Sequence, residues 1–308
     1  MKIIRKNLRR MRDFLKYMAK FRQRHQMYLV KNNNILEYIE QERVRLEIEQ
    51  EFAELIKKGA ECSQSQNRST KVWICWFQGE ANAPRIVRSC IASVKQNLSN
   101  REIIILTEEN IPQFIQLPDY IQEKKNIGLI SAAHYSDLLR LELLCKYGGM
   151  WIDASVLCTS SRFVDKIADL PLFVYKEMDL VRRDVKPILA SSWFISAYSN
   201  QHILLLTRAL LHEYWKTHSN LSNYFLFHIC FAIAARRYIA DWNAIPMYNN
   251  HSPHTMQFEL STAYTPERWS SLVEMSDFHK LNRRADSSAP GCTIFDHIVK
   301  TYLHSSSI

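Results

Sequence analysis

The 308-residue sequence is poor in glycine and has no long uninterrupted apolar run. Only 6 residues are glycine, whereas 47% are hydrophobic and 23% are charged, a balance typical of globular chains that excludes fibrous and low-complexity proteins. The longest nearly apolar stretch, Tyr224 to Ala235, covers 12 residues and contains His228. Because a helix needs about 20 apolar residues to cross a bilayer, the sequence predicts no transmembrane helix.

Cysteine is also used sparingly and without a recognisable pattern. Seven cysteines are present, an odd number, and no two lie closer than 13 positions apart, which fits neither a zinc site nor a disulfide framework. In the opening run, MKIIRKNLRRMRDF, charged residues interrupt every apolar pair, so a secretory signal is not expected. We therefore expect reduced thiols in a cytoplasmic protein.

Acidic residues are almost missing from residues 1–31, which we call the N-terminal arm. The arm holds 11 of the 40 Lys and Arg residues but only one of the 31 Asp and Glu residues, Asp13, so the basicity of the chain is concentrated there. Apolar residues recur in the arm at spacings of four and three, at Ile4, Leu8, Met11, Leu15 and Met18. This pattern predicts an amphipathic basic helix.

The N-terminal arm is expected to contact an anionic membrane surface, because its apolar stripe is bordered by basic residues. A solvated helix is one alternative, and a basic adaptor helix that docks a partner or nucleic acid is another. No recognised nucleic-acid-binding module accompanies the arm, so we expect no nucleic-acid partner.

The chain divides into a helical extension and a larger α/β domain. A second helical stretch covers Ile35 to Lys58, and the polar segment Gly59 to Thr70 then loses the helical periodicity. We place the boundary in that segment. Residues 1–60 are assigned to the extension and residues 71–308 to the α/β domain.

A β-α-β pattern opens the α/β domain. KVWICWFQ at 71–78 predicts a strand, a helix follows from Pro84 to about Asn97, and REIIILT at 101–107 predicts the next strand. AAHYSDLLRLELLCKYGG predicts a buried helix, and MWIDASVL at 150–157 predicts a strand with a carboxylate midway. Further strands are expected near 171–176 and 190–198 and helices near 201–217 and 222–237, followed by a polar tail from about 240.

The carboxylate of Asp153 is predicted to lie where a ligand binds. A charged group near the end of a buried strand is unfavourable unless it is paired, and α/β proteins bind ligands at the carboxyl ends of strands. A divalent cation held with a diphosphate is a natural partner, and Gly148 and Gly149 would allow a close backbone approach. Asp137 and Arg140 share one helical face and could hold sugar hydroxyls or a phosphate; an internal helical ion pair is the alternative.

These runs resemble the bacterial capsular polysaccharide synthesis proteins, which are similar to the wider group of sugar transferases with a DxD-type motif. The specific part is SDLLR followed by YGGMWIDAS, and the likeness extends to WICWFQGEANAPRIVRSCIASVKQNL, LPDYI, NYFLFH, DWNAIP and FHKL. It covers about Lys71 to Arg284. The resemblance implies a GT-A fold of the α/β class, in which a Rossmann-like nucleotide-binding half is joined to an acceptor-binding half.

The resemblance also assigns residues to a site. Asp153 takes the first position of the DxD motif and Ser155 the third, and Mn²⁺ or Mg²⁺ would be held by these two residues and His279. A satisfied core or surface histidine is the alternative for His279, and His228 is expected to be a core residue. The residues expected to bind the donor are Trp76, Gln78, Asp137, Arg140, Gly149, Asp153 and Ser155, among which Asp153, Asp137 and Arg140 would be catalytic.

The function that the resemblance implies is glycosyl transfer. A nucleotide sugar would be the donor, and a growing capsular, exopolysaccharide or lipopolysaccharide-type glycan, free or lipid-linked, would be the acceptor. The metal and Arg140 would stabilise the departing diphosphate, and retention of anomeric configuration is expected. The enzyme would act in the cytoplasm at the inner face of the bacterial cell membrane. The alternative is a nucleotide-sugar-binding protein without turnover, because Ser155 replaces the second acid of the motif.

Overall fold

A five-stranded mixed sheet forms the centre of the protein, seen in a computed structural model that describes residues 33–60, 65–177, 187–285 and 292–303. The strand order in this sheet is β2-β1-β3-β6-β5, and β4 and β7 form a separate antiparallel pair. The strands are β1 (Lys71–Cys75), β2 (Glu102–Leu106), β3 (Gly149–Ile152), β4 (Val156–Cys158), β5 (Leu172–Lys176), β6 (Ala190–Ala197) and β7 (Phe278–Lys280).

Twelve α-helices surround the sheets in the described part of the chain. They are α1 (Asn33–Glu51), α2 (Ala53–Lys58), α3 (Arg85–Asn97), α4 (Ile111–Phe114), α5 (Asp119–Asn126), α6 (Ala132–Tyr147), α7 (Arg162–Ile167), α8 (His202–Thr217), α9 (Leu226–Arg237), α10 (Ile239–Ala244), α11 (Pro266–Glu274) and α12 (Ile294–Leu303). Short 3₁₀ helices cover Glu80–Asn82 and Ser252–Phe258. The mixed α/β fold predicted from the sequence is confirmed.

The sheet has a parallel half and an antiparallel half. Strand β1 runs parallel to both β2 and β3, whereas β6 runs antiparallel to β3 and β5. The side chains of Val72, Trp73 and Ile74 in β1 are buried, as an inner strand covered on both faces requires. Because β1 and β3 point the same way, their carboxyl ends open on one edge of the sheet.

Helix α6 connects the parallel strands and carries predicted site residues. Its first turn is capped by Ser131, whose side chain accepts a hydrogen bond from the backbone N–H of His134. It ends at Gly148, which has a φ of 66°, and the chain enters β3 at once. The helix therefore starts at the same sheet edge at which β1 and β3 end.

Two predictions about local structure are wrong. The strand predicted at 150–157 is divided into β3 and β4, because residues 153–155 form a turn in which the backbone N–H of Val156 bonds to the carbonyl oxygen of Asp153 over 3.0 Å. The polar tail predicted from about 240 instead contains α10, α11, β7 and α12, and β7 pairs with β4.

The described part of the N-terminal extension packs on the α/β domain. The helical stretch predicted at 35–58 is present as α1 and α2, and Val44 and Ile48 of α1 belong to the common hydrophobic core. The guanidinium of Arg237 donates a hydrogen bond to the carbonyl oxygen of Ile56 over 3.1 Å. Extension and domain thus share one core across the predicted boundary, while the N-terminal arm lies outside the described residues. Among the helices of the described ranges, none has the length and hydropathy that a bilayer span requires.

Candidate active site

A cavity of about 650 Å³ opens at the carboxyl ends of β1 and β3. Its walls come from the segment after β1, the first turns of α6, the turn after β3 and the segment that follows β7. Its polar lining includes Trp76, Gln78, Asp137, Arg140, Asp153, Ser155, His228, Lys280 and Arg283. Six of the residues predicted from the sequence therefore lie around one cavity: Trp76, Gln78, Asp137, Arg140, Asp153 and Ser155. We call it the first cavity.

Asp153 is held by hydrogen bonds on both carboxylate oxygens. Its Oδ1 accepts from the indole N–H of Trp151 over 2.9 Å, and its Oδ2 accepts from the ammonium group of Lys280 over 2.7 Å. Burial alone would raise the pKa of Asp153, but the charges of Lys280 and Arg140 outweigh it and hold the pKa below its usual value. Asp153 is therefore an anion fixed between two cations.

Arg140 connects the two predicted carboxylates. Its guanidinium lies 3.3 Å from the nearest carboxylate oxygen of Asp137 and 3.4 Å from Oδ1 of Asp153, and it donates to the carbonyl oxygen of Ser192 over 2.7 Å. The group is buried and lies 4.9 Å from the ring centroid of Trp151. The helical ion pair that the sequence left as an alternative is present, and both of its members line the first cavity.

A second contact orients Asp137. The indole N–H of Trp215 donates to Nε2 of His134 over 2.9 Å, so the proton of a neutral His134 sits on Nδ1. That nitrogen faces Oδ2 of Asp137 at 3.3 Å. Asp137 is thus positioned between a buried imidazole and the guanidinium of Arg140.

Lys280 is the main site residue that the sequence analysis missed. Its ammonium group bonds to Asp153 over 2.7 Å and to the hydroxyl of Ser155 over 3.0 Å. The backbone N–H of Leu281 also bonds to the carbonyl oxygen of Ser155, which ties the segment after β7 to the turn after β3. Only the alternation of side chains along FHKL could have indicated Lys280, because neighbouring strand residues point to opposite faces.

His279 does not reach the site, which corrects the prediction that it binds the metal. Pairing of β7 with β4 sets His279 opposite Leu157, where its side chain is fully buried and Nε2 lies 3.3 Å from the hydroxyl of Thr159. Burial lowers the pKa of His279 to about 4, so its imidazole is neutral near pH 7. Its ring lies on the strand face opposite to Lys280.

Two further expectations are corrected by the position of His228 and Gly149. His228, expected in the core, lines the first cavity; desolvation lowers its pKa to about 4, although the charge of Asp137 acts in the opposite direction. Gly149, expected at the donor, lies inside the sheet with a φ of 96°. A Cβ at this position would lie 2.3 Å from the carbonyl oxygen of Lys71, so the close backbone approach is to β1 and not to a ligand.

Trp76 carries an unused hydrogen-bond donor. The indole nitrogen of Trp76 is buried and has no hydrogen-bond partner within the described ranges, and its residue lines the first cavity beside Gln78. Buried polar groups are nearly always paired in native structures. The indole N–H of Trp76 is therefore available to donate a hydrogen bond to a bound molecule.

A second cavity of about 550 Å³ adjoins the first. It shares Asp153, Ser192, Tyr224, His228 and Lys280 with the first cavity. Its other walls include Tyr38 and Gln41 of α1 and an aromatic and polar group formed by Glu177, Trp193, Phe225 and Asn250. Asn250 accepts from the indole N–H of Trp193 over 2.7 Å and donates to the carboxylate of Glu177 over 2.6 Å, so this polar wall is rigidly connected.

The residues around Asp153 do not fit the expected Mn²⁺ or Mg²⁺. Hard divalent cations take about six oxygen ligands, mostly from carboxylates, water and phosphate. Both oxygens of Asp153 already bond to protein N–H donors, and the hydroxyl of Ser155 accepts from Lys280. Over the residues that the structure describes, no three His, Cys, Asp or Glu side chains are grouped so that they could hold a metal ion by themselves. The ammonium group of Lys280 lies between Asp153 and Ser155, the two side chains predicted to hold the metal.

The chain is similar to proteins that have already been described. Residues 22–298 match the model of the family described as "Capsular polysaccharide synthesis protein". The "Glycosyltransferase afumC" of Aspergillus fumigatus is 33% identical over 95 residues, which are 28% of this chain, and the match spans 24% of that relative's length. Among solved structures, the "PaToxG Glycosyltransferase" covers 69% of this chain and 84% of its own, with a TM-score of 0.39 and 14% identity.

Proposed function

Since the chain belongs to the capsular polysaccharide synthesis protein family, as SDLLR and YGGMWIDAS predicted, we propose that it is a glycosyltransferase. It would move a sugar from a nucleotide-sugar donor to a growing capsular, exopolysaccharide or lipopolysaccharide-type glycan. The observation that carries the proposal is the first cavity, in which Arg140 bridges Asp137 and Asp153 at the carboxyl edge of the parallel strands. This placement also supports the GT-A form of the α/β fold.

The donor is proposed to bind along the first cavity. Trp76 and Gln78 follow β1, and the free indole N–H of Trp76 would bond to the base or ribose. The diphosphate would lie against Arg140 and Lys280, and Asp137 would accept hydrogen bonds from sugar hydroxyls. Three cations, Arg140, Lys280 and Arg283, line this cavity and favour an anionic ligand.

The acceptor glycan is proposed to bind in the second cavity. Sugars present apolar faces that stack on aromatic rings and hydroxyls that need polar partners, and Trp193 with Asn250 and Glu177 supplies both. The two cavities meet at Asp153, His228 and Lys280. A donor and an acceptor bound in them would meet at this junction.

Transfer is proposed to proceed with retention of anomeric configuration. Positive charge develops at the anomeric carbon and negative charge on the diphosphate, which Arg140 and Lys280 would stabilise. Asp137 and Asp153 are both within ion-pair distance of Arg140. Neither carboxylate is therefore unpaired and available to deprotonate the acceptor hydroxyl, as an inverting attack requires. Proton magnetic resonance of the newly formed linkage tests this, because a product with the opposite anomeric configuration to the donor would refute retention.

A nucleotide-sugar-binding protein without turnover is the second candidate, favoured by Ser155 in place of the second acid of the motif. Both candidate functions require a site for the nucleotide sugar. They differ in whether the bond between the sugar and the diphosphate is cleaved. Release of nucleoside diphosphate from the donor that binds supports the transferase, whereas saturable binding without release across an acceptor panel supports the second candidate.

The donor site is tested by ligand-dependent melting. A panel of nucleotide sugars is added to the full chain, and one member is expected to raise the melting temperature, since a ligand that binds only the folded state stabilises it. Trp76→Ala should reduce this rise. Trp269→Ala, a tryptophan that does not line either cavity, should retain it. No shift with any nucleotide sugar would contradict the proposal.

A further inference from the structure

We propose that Lys280 takes the place of the divalent cation, so that the diphosphate of the donor is held by protein cations and binds without metal. The inference rests on the proposed donor site in the first cavity. It concerns how that site recognises a nucleoside diphosphate.

The ammonium group of Lys280 lies between the two side chains predicted to hold the metal. Lys280 places Nζ 2.7 Å from Asp153 and 3.0 Å from Ser155, the two residues at the first and third positions of the DxD-type motif. A metal bound by those two side chains would have to occupy the same space as the ammonium. The cation that bridges this pair of side chains is therefore part of the chain itself.

The ammonium group of Lys280 also keeps one N–H group for a bound ligand. A lysine ammonium has three N–H groups, and two of them are directed to Asp153 and Ser155. Lys280 lines the first cavity, so its third N–H can bond to a phosphate oxygen of a ligand bound there. Asp153 and Ser155 thus orient the ammonium, and the remaining donor faces the ligand.

The first cavity has a net positive charge. Its ionised side chains are the cations Arg140, Lys280 and Arg283 and the anions Asp137 and Asp153, which leave an excess of positive charge. Both carboxylates are within ion-pair distance of Arg140, and Asp153 also bonds to Lys280. Arg283 is exposed at the cavity wall. Lys280 and Arg283 supply positive charge for a diphosphate from the same segment, three residues apart.

The experiment measures the binding of nucleoside diphosphates to the full chain by titration calorimetry. UDP, GDP, CDP and ADP are titrated in EDTA and again in Mn²⁺. One of them is expected to bind in EDTA, with a Kd that Mn²⁺ changes by less than about tenfold, which is about 1.4 kcal/mol. Manganese resonance spectra of the protein alone are expected to show no tight Mn²⁺ site.

Variants of the two basic residues test the assignment to Lys280. Lys280→Met keeps the length of the side chain but removes the charge, and it is expected to weaken binding in EDTA by about 10- to 100-fold, as for a hydrogen bond to a charged group. Lys280→Arg should recover part of the loss. Arg283→Ala should weaken binding less, and Arg284→Ala, its exposed neighbour outside both cavities, should bind as the wild type does.

The outcomes separate the inference from the function on which it rests. Binding that requires Mn²⁺, or a folded Lys280→Met variant that binds as tightly as the wild type in EDTA, overturns the inference and leaves the donor site intact. If circular dichroism shows that Lys280→Met is unfolded, the nucleoside diphosphate affinities of Arg283→Ala and Arg284→Ala are compared instead. Equal affinities in those two variants count against the inference. If no nucleoside diphosphate binds with or without Mn²⁺, the donor site fails, and the inference fails with it.

Discussion

At the scale of single residues, Asp153 is the group on which the proposed chemistry depends. Its carboxylate accepts hydrogen bonds from the ammonium group of Lys280 and from the indole N–H of Trp151. It also lies 3.4 Å from the guanidinium of Arg140. Removal of its charge would leave both cations without their common partner. The side-chain volume hardly changes in Asp153→Asn, so the effect on the cations can be separated from an effect on packing.

Asp153→Asn is expected to lower turnover by about 100-fold or more, the loss typical when one electrostatic contact to a developing charge is removed. The melting temperature of the variant should stay close to that of the wild type, because the substitution creates no cavity. Initial rates of donor cleavage with the matched variant Asp169→Asn, whose side chain is 89% exposed, provide the control. Wild-type rates in Asp153→Asn would show that this carboxylate has no part in the reaction.

The low pKa values of His228 and His279 give a prediction about acid stability. Burial lowers the pKa of His228 and of His279 to about 4, whereas an unfolded histidine has a pKa near 6.5. Between these values the unfolded chain binds more protons, so the free energy of unfolding must fall as the pH falls from about 6.5 towards 4. Above pH 6.5 the contribution is fully present.

Urea unfolding at several pH values measures this slope. His228→Gln is expected to make the free energy of unfolding less dependent on pH in that interval, because one of the two groups no longer titrates. An identical slope in His228→Gln and the wild type would mean that His228 is not buried as a neutral group.

Sequence reasoning found most of the site residues and misplaced those that depend on strand register. Helical spacing is enough to predict that Asp137 and Arg140 lie side by side. The position of Asp153 within a strand pattern is enough to predict that it lies at the site. The choice between His279 and Lys280 depends on which face of β7 meets the turn after β3, and that register involves residues more than a hundred positions apart. His228 was misassigned because an apolar helix hides the one position that faces the cavity.

At the scale of elements, the break between β3 and β4 creates the site. MWIDASVL has the pattern of one strand, yet the chain leaves the five-stranded sheet at Asp153 and enters the separate β4–β7 pair at Val156. Two tertiary bonds hold the turn: the backbone N–H of Asp153 bonds to the carbonyl oxygen of Trp193, and that of Leu281 bonds to Ser155. Local pattern cannot predict these bonds, because both partners lie far along the chain.

Gly149→Ala is expected to destabilise the fold strongly. Its φ of 96° is unfavourable for alanine, and its Cβ would meet the carbonyl oxygen of Lys71 at 2.3 Å. Strain and overpacking together should lower the free energy of unfolding by about 3 kcal/mol or more. Chemical unfolding of the variant measures the loss.

Gly128→Ala is the matched control for that variant. Gly128 has a φ of 81°, but a Cβ there would meet no atom within 4 Å. It should lower the free energy of unfolding by about 1–2 kcal/mol from backbone strain alone. Equal losses in the two variants would show that the contact between β3 and β1 is not tight.

At the scale of the whole molecule, helix α1 of the N-terminal extension lines the second cavity, the proposed acceptor site. Helix α1 contributes Val44 and Ile48 to the common core and Tyr38 and Gln41 to the second cavity. The sequence predicted the helix but set it apart as a separate unit, because amphipathic spacing does not show which surface a helix covers. The second cavity therefore combines residues from both sides of the predicted boundary.

Deletion of residues 1–31 is expected to abolish sedimentation with anionic vesicles. The arm's basic residues should each add up to about 1 kcal/mol of attraction to such a surface. Transfer to a soluble acceptor should persist, because the residues that the structure shows around the two cavities lie between Tyr38 and Arg283, all beyond the deletion. Full-length protein that remains in the supernatant with anionic vesicles at low salt would refute a membrane contact.

In the proposed reaction, a sugar passes from its nucleotide donor to a glycan acceptor in the first cavity. The most direct test of this transfer incubates the full chain with isotopically labelled nucleotide sugars and a glycan acceptor panel, and measures released nucleoside diphosphate and labelled glycan together. One donor is expected to give both products in equal amounts, and Asp153→Asn should form both at least about 100-fold more slowly. A donor that binds saturably but yields no diphosphate and no labelled glycan with any acceptor would contradict the proposed transfer.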